Sequence, residues 1–404
     1  MDTRVRTGRR RALSGAGALL LAAGLVACTS PGSDSSGGSG SGGAGGGGGG
    51  EGLPDTVRVM SIRALTGPVS FAGLNAQKGI DLAVEQIEAD GLLGETTIEV
   101  DSRDSATSPQ EAASFASQAI ADPGYVAIIG PEASAQATAV SPIVDQQGMP
   151  TVYVQAGSEG VVIGDYTFRI TPPAASYFDL AGEYAEQQGV TTASVLFNSG
   201  NPTLVQLGQE VVPELASEHG FEVLSTGGVE ATQQDFTTPA SSIAGEGPDA
   251  AFLMVQGPQY PVAITQLRQA GYDGELIGMS AAGAGNLSSA GEGAAGFVWP
   301  TNFTADQDVE STRTFVEAYR EKYDGEAPNN YAAEAYDAMW FLARGIAEAD
   351  STDRTAVQEG LATVAGEGFD GAQGEITFEG NDARVPGVLV RWDGTAEVPV
   401  EAGS

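Results

Sequence analysis

Residues 125–158 read YVAIIGPEASAQATAVSPIVDQQGMPTVYVQAGS, and this stretch decides the fold class. The apolar run at 125–129 predicts a buried strand, and a Gly-Pro turn, a loop of small residues carrying Ser134 and a helix follow it. A second predicted strand, at 151–154, ends in another loop of small and polar residues. Parallel strands that end in such loops place backbone amides, hydroxyls and a helix N-terminus at one sheet edge, where small anionic groups bind. The stretch therefore predicts a ligand site without catalytic side chains.

The same alternation of strands and helices continues through the rest of the chain. Short β-rich runs alternate with helical patterns from Thr56 onward, and the series restarts near Tyr166. This pattern favours parallel sheets covered by helices, so we predict an α/β protein with two similar lobes and a cleft between them. Three helices predicted within 309–364 have no sheet of their own, so each lobe is expected to be discontinuous in sequence. Pro142 predicts a kink or a break in the helix after Ser134.

The composition excludes several classes of protein. The 404 residues include 53 acidic and 18 basic side chains, which gives a formal net charge of −35. A surface that acidic repels nucleic acid and anionic lipid headgroups. The single cysteine excludes an internal disulfide, and with only one histidine the chain has no zinc cluster of the usual kind. We therefore expect no nucleic-acid partner, no metal site and no cofactor.

Residues 1–27 predict a signal peptide. Residues 4–11 are basic, and the apolar run at 12–27 ends in Leu-Val-Ala directly before Cys28. The run is shorter than the roughly 20 residues of a membrane-spanning helix, and its end resembles the bacterial lipobox, in which the cysteine becomes lipidated. The Gly- and Ser-rich residues 28–53 then predict a flexible linker. We expect an exported protein that is anchored to the outer face of the cell membrane through Cys28.

Eight short motifs occur in a specific order and spacing between residues 55 and 400. They are LTGP at 65–68, GIDLAVEQI at 79–87, IIGP at 128–131, FR at 168–169, PDA at 248–250, FVEAY at 315–319, YAAEAYDA at 331–338 and FDG at 369–371. In this order they resemble the type I periplasmic solute-binding proteins of the branched-chain amino acid (Leu/Ile/Val-binding) class. The resemblance implies two Rossmann-like lobes with parallel sheets flanked by helices, three crossovers that form a hinge, and a ligand cleft between the lobes.

The resemblance also implies how the chain is divided and what it does. Residues 54–173 and 302–366 are expected to form the first lobe, and residues 174–301 and 367–400 the second. The protein is expected to act as a monomeric receptor of an ABC importer. It would close its lobes on a small polar or carboxylate-bearing molecule and deliver it to the permease.

Residue by residue, the resemblance implies a carboxylate grip in the first lobe. Ser134 matches the serine whose hydroxyl holds the ligand carboxylate at a helix N-terminus. A role as the helix N-cap is the alternative for this residue, and the two roles are compatible. The loop that completes the grip is matched by Ala156, Gly157 and Ser158.

Two aromatic residues and two departures complete the expected site. Phe71 and Tyr331 fall where the family often places aromatic walls, with ordinary core packing as the alternative for both. In the second lobe Asn198 begins a loop in which Pro202 replaces the family's tyrosine. Ser280 occupies the place of the acid that receives a ligand ammonium. Because a buried ammonium without a carboxylate costs several kcal/mol, we expect a ligand with a carboxylate or other hydrogen-bonding head and an uncharged remainder, rather than a plain α-amino acid.

Two other functions compete with this interpretation. The run Gly-Met-Ser-Ala around Ser280 resembles the nucleophile elbow of hydrolases, but the only histidine, His219, precedes it, and a Gly-rich loop replaces the expected helix. We therefore expect no enzyme. A sensor module that reports ligand occupancy to a receptor would use the same lobe closure, so sensing stays open as an alternative to transport.

Overall fold

The computed structural model describes residues 52–67 and 69–400. The predicted signal peptide, Cys28 and most of the predicted linker lie outside these residues. The described part folds into two α/β lobes, each built on its own sheet with helices packed on it, which confirms the predicted fold class.

The strands of the described part are the following, in chain order. They are β1 (Thr56–Arg63), β2 (Thr97–Asp104), β3 (Tyr125–Ile129), β4 (Thr151–Tyr153), β5 (Thr167–Arg169), β6 (Thr192–Asn198), β7 (Glu222–Val229), β8 (Ala250–Met254), β9 (Glu275–Ile277), β10 (Val298–Thr301), β11 (Phe369–Gly371), β12 (Gly374–Glu379), β13 (Asp382–Arg384), β14 (Val388–Trp392) and β15 (Glu397–Pro399).

The α-helices of the same residues lie between and after these strands. They are α1 (Ser70–Asp90), α2 (Pro109–Ala121), α3 (Ser134–Gln146), α4 (Asp179–Gln187), α5 (Pro202–Gln206), α6 (Val212–His219), α7 (Thr237–Glu246), α8 (Tyr260–Gln269), α9 (Ala284–Leu287), α10 (Glu310–Lys322), α11 (Asn330–Ala349) and α12 (Arg354–Glu367). Within the described ranges, no helix has the length and apolar character needed to cross a membrane.

The two sheets have a parallel centre and an antiparallel edge. The first has the order β11-β12-β13-β5-β4-β3-β1-β2, and the second has the order β15-β14-β10-β9-β8-β6-β7. Strands β1 to β5 pair in parallel, as do β6 to β10. The antiparallel pairs are β11 with β12, β12 with β13, β10 with β14, and β14 with β15. Each sheet therefore repeats the same plan, as the restarted sequence pattern predicted.

The chain passes between the two sheets three times, after β5, after β10 and after β13, so the predicted crossovers are confirmed. The assignment of all of 367–400 to the second lobe was wrong for its first half, because β11, β12 and β13 belong to the first sheet. Where β13 pairs with β5, the Nε of Arg169 donates to the Asp382 carboxylate at 2.7 Å. The remaining lobe boundaries stay predictions.

The first lobe has a core on each face of its sheet. Along β1, Val57 and Val59 belong to the core under α1, α11 and α12, whereas Met60 and Ile62 belong to the core under α2 and α3. Alternate strand residues point to opposite faces, so both faces of this sheet are covered. The helices predicted after residue 309 therefore return to the first lobe.

Helix α3 is continuous through Pro142, so of the kink or break that the sequence predicted, the break does not occur. Ala137, Val140 and Val144 of this helix are fully buried in the core beneath it. This packing holds both halves of the helix on the sheet and offsets the backbone hydrogen bond that proline removes. The N-terminus of α3 is thereby fixed at the carboxyl end of β3.

Candidate functional site

A cavity of about 140 Å³ lies between the lobes. Loops after β1, β3, β4 and β5 and the start of α11 line it on the first lobe, and loops after β6, β8 and β9 line it on the second. Ligands of parallel α/β sheets bind at these carboxyl ends. Five of the eight predicted ligand contacts line the cavity, namely Phe71, Ser134, Gly157, Ser280 and Tyr331.

Ser134 is the first residue of α3 and lies at the cavity wall. The N-cap of this helix is Ala133, which has no side chain that could accept a hydrogen bond from the first turn. The first amides of a helix have no acceptor within the helix, and their aligned dipoles attract negative charge. The cavity therefore has an uncapped helix N-terminus at one end, which is a common binding site for an anionic group.

A chain of buried hydroxyls connects the two lobes beside Ser134. Its Oγ atom is 2.8 Å from Thr203 Oγ1 of the second lobe, which is in turn 2.7 Å from Ser158 Oγ of the first. The Ser158 amide donates to Ser134 Oγ at 3.2 Å. When Ser158 donates to Thr203 and Thr203 to Ser134, the Ser134 hydrogen remains for a group in the cavity. The Ser134 hydroxyl at the cavity wall therefore belongs to the same hydrogen-bond network that joins the lobes.

Ala156 and Ser158 are not among the residues that line the cavity. Their carbonyl oxygens each accept a hydrogen bond from Arg169 Nη1 at 2.6 Å. Arg169 is fully buried, so this guanidinium fixes the loop from behind. Of the predicted loop, Gly157 alone faces the cavity, while Ser158 acts through the interlobe hydroxyl chain.

Asn198 also lies behind the wall, within the second lobe. Its Nδ2 donates to Gln259 Oε1 at 2.7 Å and to the Ala231 carbonyl at 3.2 Å, and its Oδ1 accepts from the Gly200 amide at 2.9 Å. Asn201 lines the cavity three residues later and caps α5 by accepting from the Thr203 amide at 3.0 Å. The predicted loop does reach the cavity, but its residue in the cavity wall is Asn201 and not Asn198.

Ser280 lines the cavity at the start of a single 3₁₀ turn, Ser280–Ala282, rather than of an α-helix. The only histidine, His219, is at the end of α6, where its ring nitrogens contact Asp179 and Glu186. It does not line the cavity. A serine nucleophile at position 280 would therefore have no histidine base.

Phe71 and Tyr331 form an aromatic wall. Their ring centroids are 6.0 Å apart and the ring planes cross at 83°, which is the edge-to-face arrangement that aromatic pairs prefer. Phe71 is 42% exposed, so ordinary core packing does not account for it. Burial raises the pKa of the Tyr331 phenol above its usual range, so the hydroxyl stays neutral. This wall gives the cavity an apolar side.

The cavity contains two carboxylates that the sequence reasoning missed, Glu132 and Glu334. Glu132 is paired with Arg63 Nη1 at 2.8 Å and accepts from the Ala64 amide at 3.0 Å. No arginine, lysine or histidine within residues 52–67 and 69–400 forms an ion pair with Glu334, and burial raises the pKa of its carboxyl to about 7. The prediction for Ser280 concerned that position alone, and both carboxylates reach the cavity from the first lobe. The available signal was the helical spacing of Glu334, one turn after Tyr331.

Gln155 is a further missed residue of the wall. Its backbone is in the left-handed region, with φ of 59°, which is uncommon for a residue other than glycine. Its amide donates to Thr171 Oγ1 at 2.7 Å, and its side-chain Nε2 donates to the Tyr331 carbonyl at 3.2 Å. These bonds hold a strained residue at the site, and no local sequence signal marks such a position.

Comparison with known proteins agrees with this geometry. The sequence profile of the periplasmic binding proteins matches residues 56–395. A leucine-, isoleucine-, valine-, threonine- and alanine-binding protein of Pseudomonas aeruginosa is 23% identical over 332 residues, which covers 80% of this chain and 86% of the relative.

Two solved structures show the same fold. A leucine-binding protein of Thermotoga maritima superposes with a TM-score of 0.79 and 25% identity, covering 85% of this chain and 98% of the other. A solute-binding protein of an R. palustris ABC transporter, in complex with benzoate, has a TM-score of 0.76 and 19% identity, with 85% and 95% covered. The profile match, the two lobes and the cavity between them lead to one conclusion: this chain belongs to the periplasmic binding protein family.

Proposed function

We propose that this protein is the extracytoplasmic receptor of an ABC importer, and that it captures a small carboxylate-bearing molecule by closing its lobes. The observation that carries the proposal is the cavity wall at Ser134. There an uncapped helix N-terminus and the Ser134 hydroxyl lie beside a direct contact between the lobes. A carboxylate bound there would complete the interlobe network, so the ligand would favour the closed arrangement.

The size of the cavity restricts the ligand. At about 140 Å³ it has room for roughly five water molecules, or for a molecule about the size of benzene. The aromatic wall at Phe71 and Tyr331 suits an apolar side chain or ring. Relatives are named for leucine, isoleucine and valine, and a structural neighbour is in complex with benzoate.

Export and anchoring belong to the same proposal. The lipobox-like end of the signal peptide supports lipidation of Cys28, and the Gly- and Ser-rich linker would let a folded receptor reach a permease beside the membrane. The function is binding rather than catalysis, because the cavity lacks a histidine base and the family is one of solute-binding proteins. The protein would act as a monomer, with one ligand in each closed cleft.

The proposal is tested by thermal unfolding in the presence of small carboxylates, amino acids, aromatic acids and the matching amides. A true ligand at 100 times its dissociation constant stabilises the folded state by about 2.7 kcal/mol, which raises the melting temperature by several degrees. We expect carboxylates to do this and their amides, which lack the negative charge, to do so much less. Equal shifts for acid and amide would contradict the proposed carboxylate site.

Replacing Thr203 with valine tests the link between closure and binding. The substitution keeps the side-chain shape but removes the hydroxyl that joins Ser134 to Ser158. Since buried hydroxyls then lose a partner, we expect the affinity for the carboxylate ligand to fall about tenfold, measured by calorimetry. The matched control is Thr265→Val on α8, where the hydroxyl is exposed and bonds only the Pro261 carbonyl. Unchanged affinity in Thr203→Val would show that the hydroxyl chain does not contribute to ligand binding.

A further inference from the structure

A second cavity, of about 170 Å³, lies in the first lobe and outside the cleft. The N-terminal half of α10, four residues of α11, the strand β11 and Ala372 line it. None of its residues lines the cavity between the lobes. The proposed function uses no residue of this second cavity, so its chemistry calls for a separate explanation.

Three buried polar atoms around the second cavity have no hydrogen-bond partner among the described residues. They are Arg344 Nη1, Ser311 Oγ and Trp340 Nε1. Trp340 also influences the Tyr336 hydroxyl, but without a hydrogen bond of normal geometry. The guanidinium and indole nitrogens can only donate, and the hydroxyl can donate as well. Since buried polar atoms are nearly always paired, this cavity lacks an acceptor.

Arg344 is a half-buried cation without a counter-ion. Burial lowers the pKa of its guanidinium, which still stays charged near neutral pH. Within residues 52–67 and 69–400 it forms neither an ion pair nor a hydrogen bond. Its Cζ atom lies 4.5 Å from the ring centroid of Phe369 and 5.5 Å from that of Trp340. Ring faces attract a cation but leave its N–H groups without acceptors.

Arg354 shows how the same lobe pairs an arginine that has a structural role. It is half-buried like Arg344, and it donates to four backbone carbonyls, those of Ala119, Ile120, Asp122 and Tyr125. The fold therefore supplies acceptors to one buried guanidinium of this lobe and not to the other.

The carboxylates near Arg344 do not fill this role. Asp337 Oδ1 accepts from the Ala372 amide at 2.6 Å, and its Oδ2 accepts from the amide and the Nε2 of Gln373, both at 3.0 Å. Asp370 is exposed to solvent. Together the two acids raise the pKa of Arg344 by less than burial lowers it. A further negative charge is therefore favourable beside this guanidinium.

The first turn of α10 supports the same conclusion. Its N-cap is Val309, which has no side chain that could accept from the first amides, and Ser311 is the second residue of the helix. Thr312 Oγ1 donates to the Ala372 carbonyl at 2.8 Å, which holds this turn against the loop after β11. The dipole of an uncapped helix N-terminus adds to the attraction of Arg344 for an anion.

We propose that the second cavity is a binding site for a small oxyanion, such as phosphate or a short carboxylate. One oxyanion supplies the negative charge that Arg344 lacks and acceptor oxygens for Ser311 and Trp340. The volume of about 170 Å³ has room for roughly six water molecules, which suits one such ion. Water alone would pair the donors but would leave the guanidinium without a counter-charge. The site does not depend on the proposed function of the cleft, so either can fail without the other.

The test titrates inorganic phosphate, sulfate and acetate into the full-length protein in Tris buffer, followed by calorimetry. We expect saturable binding of at least one of these ions. In Arg344→Gln we expect its dissociation constant to rise about tenfold or more, because a charge-assisted hydrogen bond is lost. The matched control is Arg313→Gln on α10, which removes the same charge from an exposed arginine outside the cavity and should bind like the parent.

Two further variants complete the test. Ser311→Ala leaves the guanidinium and its aromatic neighbours in place, so it serves if Arg344→Gln does not fold, and we expect about threefold weaker binding. Ser134→Ala changes the cleft alone and should leave oxyanion binding unchanged. The inference is wrong if none of the three ions binds saturably to the parent, or if Arg344→Gln or Ser311→Ala binds as tightly as the parent. Binding that is lost in Ser134→Ala but kept in Arg344→Gln would place the ion in the cleft and would also contradict it.

Discussion

Replacing Gly79 with alanine is expected to lower the free energy of unfolding by about 3 kcal/mol, although alanine is the better helix former by about 1 kcal/mol. Gly79 is buried where α1 crosses α11. A Cβ atom there would lie 2.1 Å from the Ala332 carbonyl oxygen and 3.1 Å from the Tyr336 amide nitrogen. Both are backbone atoms of α11, so the steric clash can be relieved only if the two helices move apart. Urea denaturation followed by circular dichroism measures the change.

The same displacement would reach the cavity, because Ala332 directly follows Tyr331 and lies two residues before Glu334, and both of these residues line the cavity. We therefore expect Gly79→Ala to weaken ligand binding as well. The matched control is Gly245→Ala in α7, where a Cβ would have no neighbour within 4 Å. That variant should gain up to about 1 kcal/mol from helix propensity. If Gly79→Ala unfolds at the same urea concentration as the parent, the close approach of α1 and α11 is wrong.

The ligand-free protein is expected to lose stability as the pH rises from about 4.5 to about 7. Desolvation raises the pKa of Glu334 from 4.5 to about 7 and that of Asp337 from 3.8 to about 6. In this range the folded state holds protons that the unfolded state has released, so the free energy of unfolding decreases with pH. For Glu334 the shift corresponds to roughly 3 kcal/mol between the two ends of the range.

Urea denaturation at pH 5, 6, 7 and 8 measures this dependence. In Glu334→Gln the contribution of the titrating carboxyl is absent. The free energy of unfolding of this variant should therefore change less with pH than the parent's and should be higher than the parent's at pH 8. Asp337 accepts hydrogen bonds from the Ala372 and Gln373 amides and remains in the variant, so part of the slope should persist. Exposed Glu348→Gln should follow the parent curve. Parallel curves for parent and Glu334→Gln would show that Glu334 is not desolvated.

Much of the site was predictable because its signals are local. Ser134 follows a buried strand and a turn, and that arrangement puts a helix N-terminus at a sheet edge in any parallel α/β fold. Phe71 and Tyr331 were placed by motifs of the family and do line the cavity. Asn198 was predicted to face the cavity, but Asn201, three residues later, does so. The exact lengths of the strand and the loop decide which side chain of the loop faces inward.

The residues that were missed depend on distant partners. The sequence pattern is that of an ordinary polar position on an amphipathic helix. In the structure Glu334 accepts a hydrogen bond from Asn302 and lines the cavity between the lobes. Gln155 is oriented by a hydrogen bond to a residue 176 positions away along the chain. Neither spacing nor composition indicates that a carboxylate will be buried without a cation, because burial is a property of the packed fold.

The sequence by itself determined the two-lobe α/β architecture and the helix N-terminus at Ser134, because strand and helix periodicity and turn chemistry act over a few residues, whereas the three crossovers were implied by the resemblance to the family. Only the tertiary structure decided which sheet β11 to β13 would join and which acids would line the cavity. The first depends on contacts between residues far apart in the chain, such as the bond between Arg169 and Asp382, which are 213 residues apart. The second depends on packing that buries both Glu132 and Glu334 and, within the part of the chain that the structure describes, pairs an arginine with Glu132 but not with Glu334.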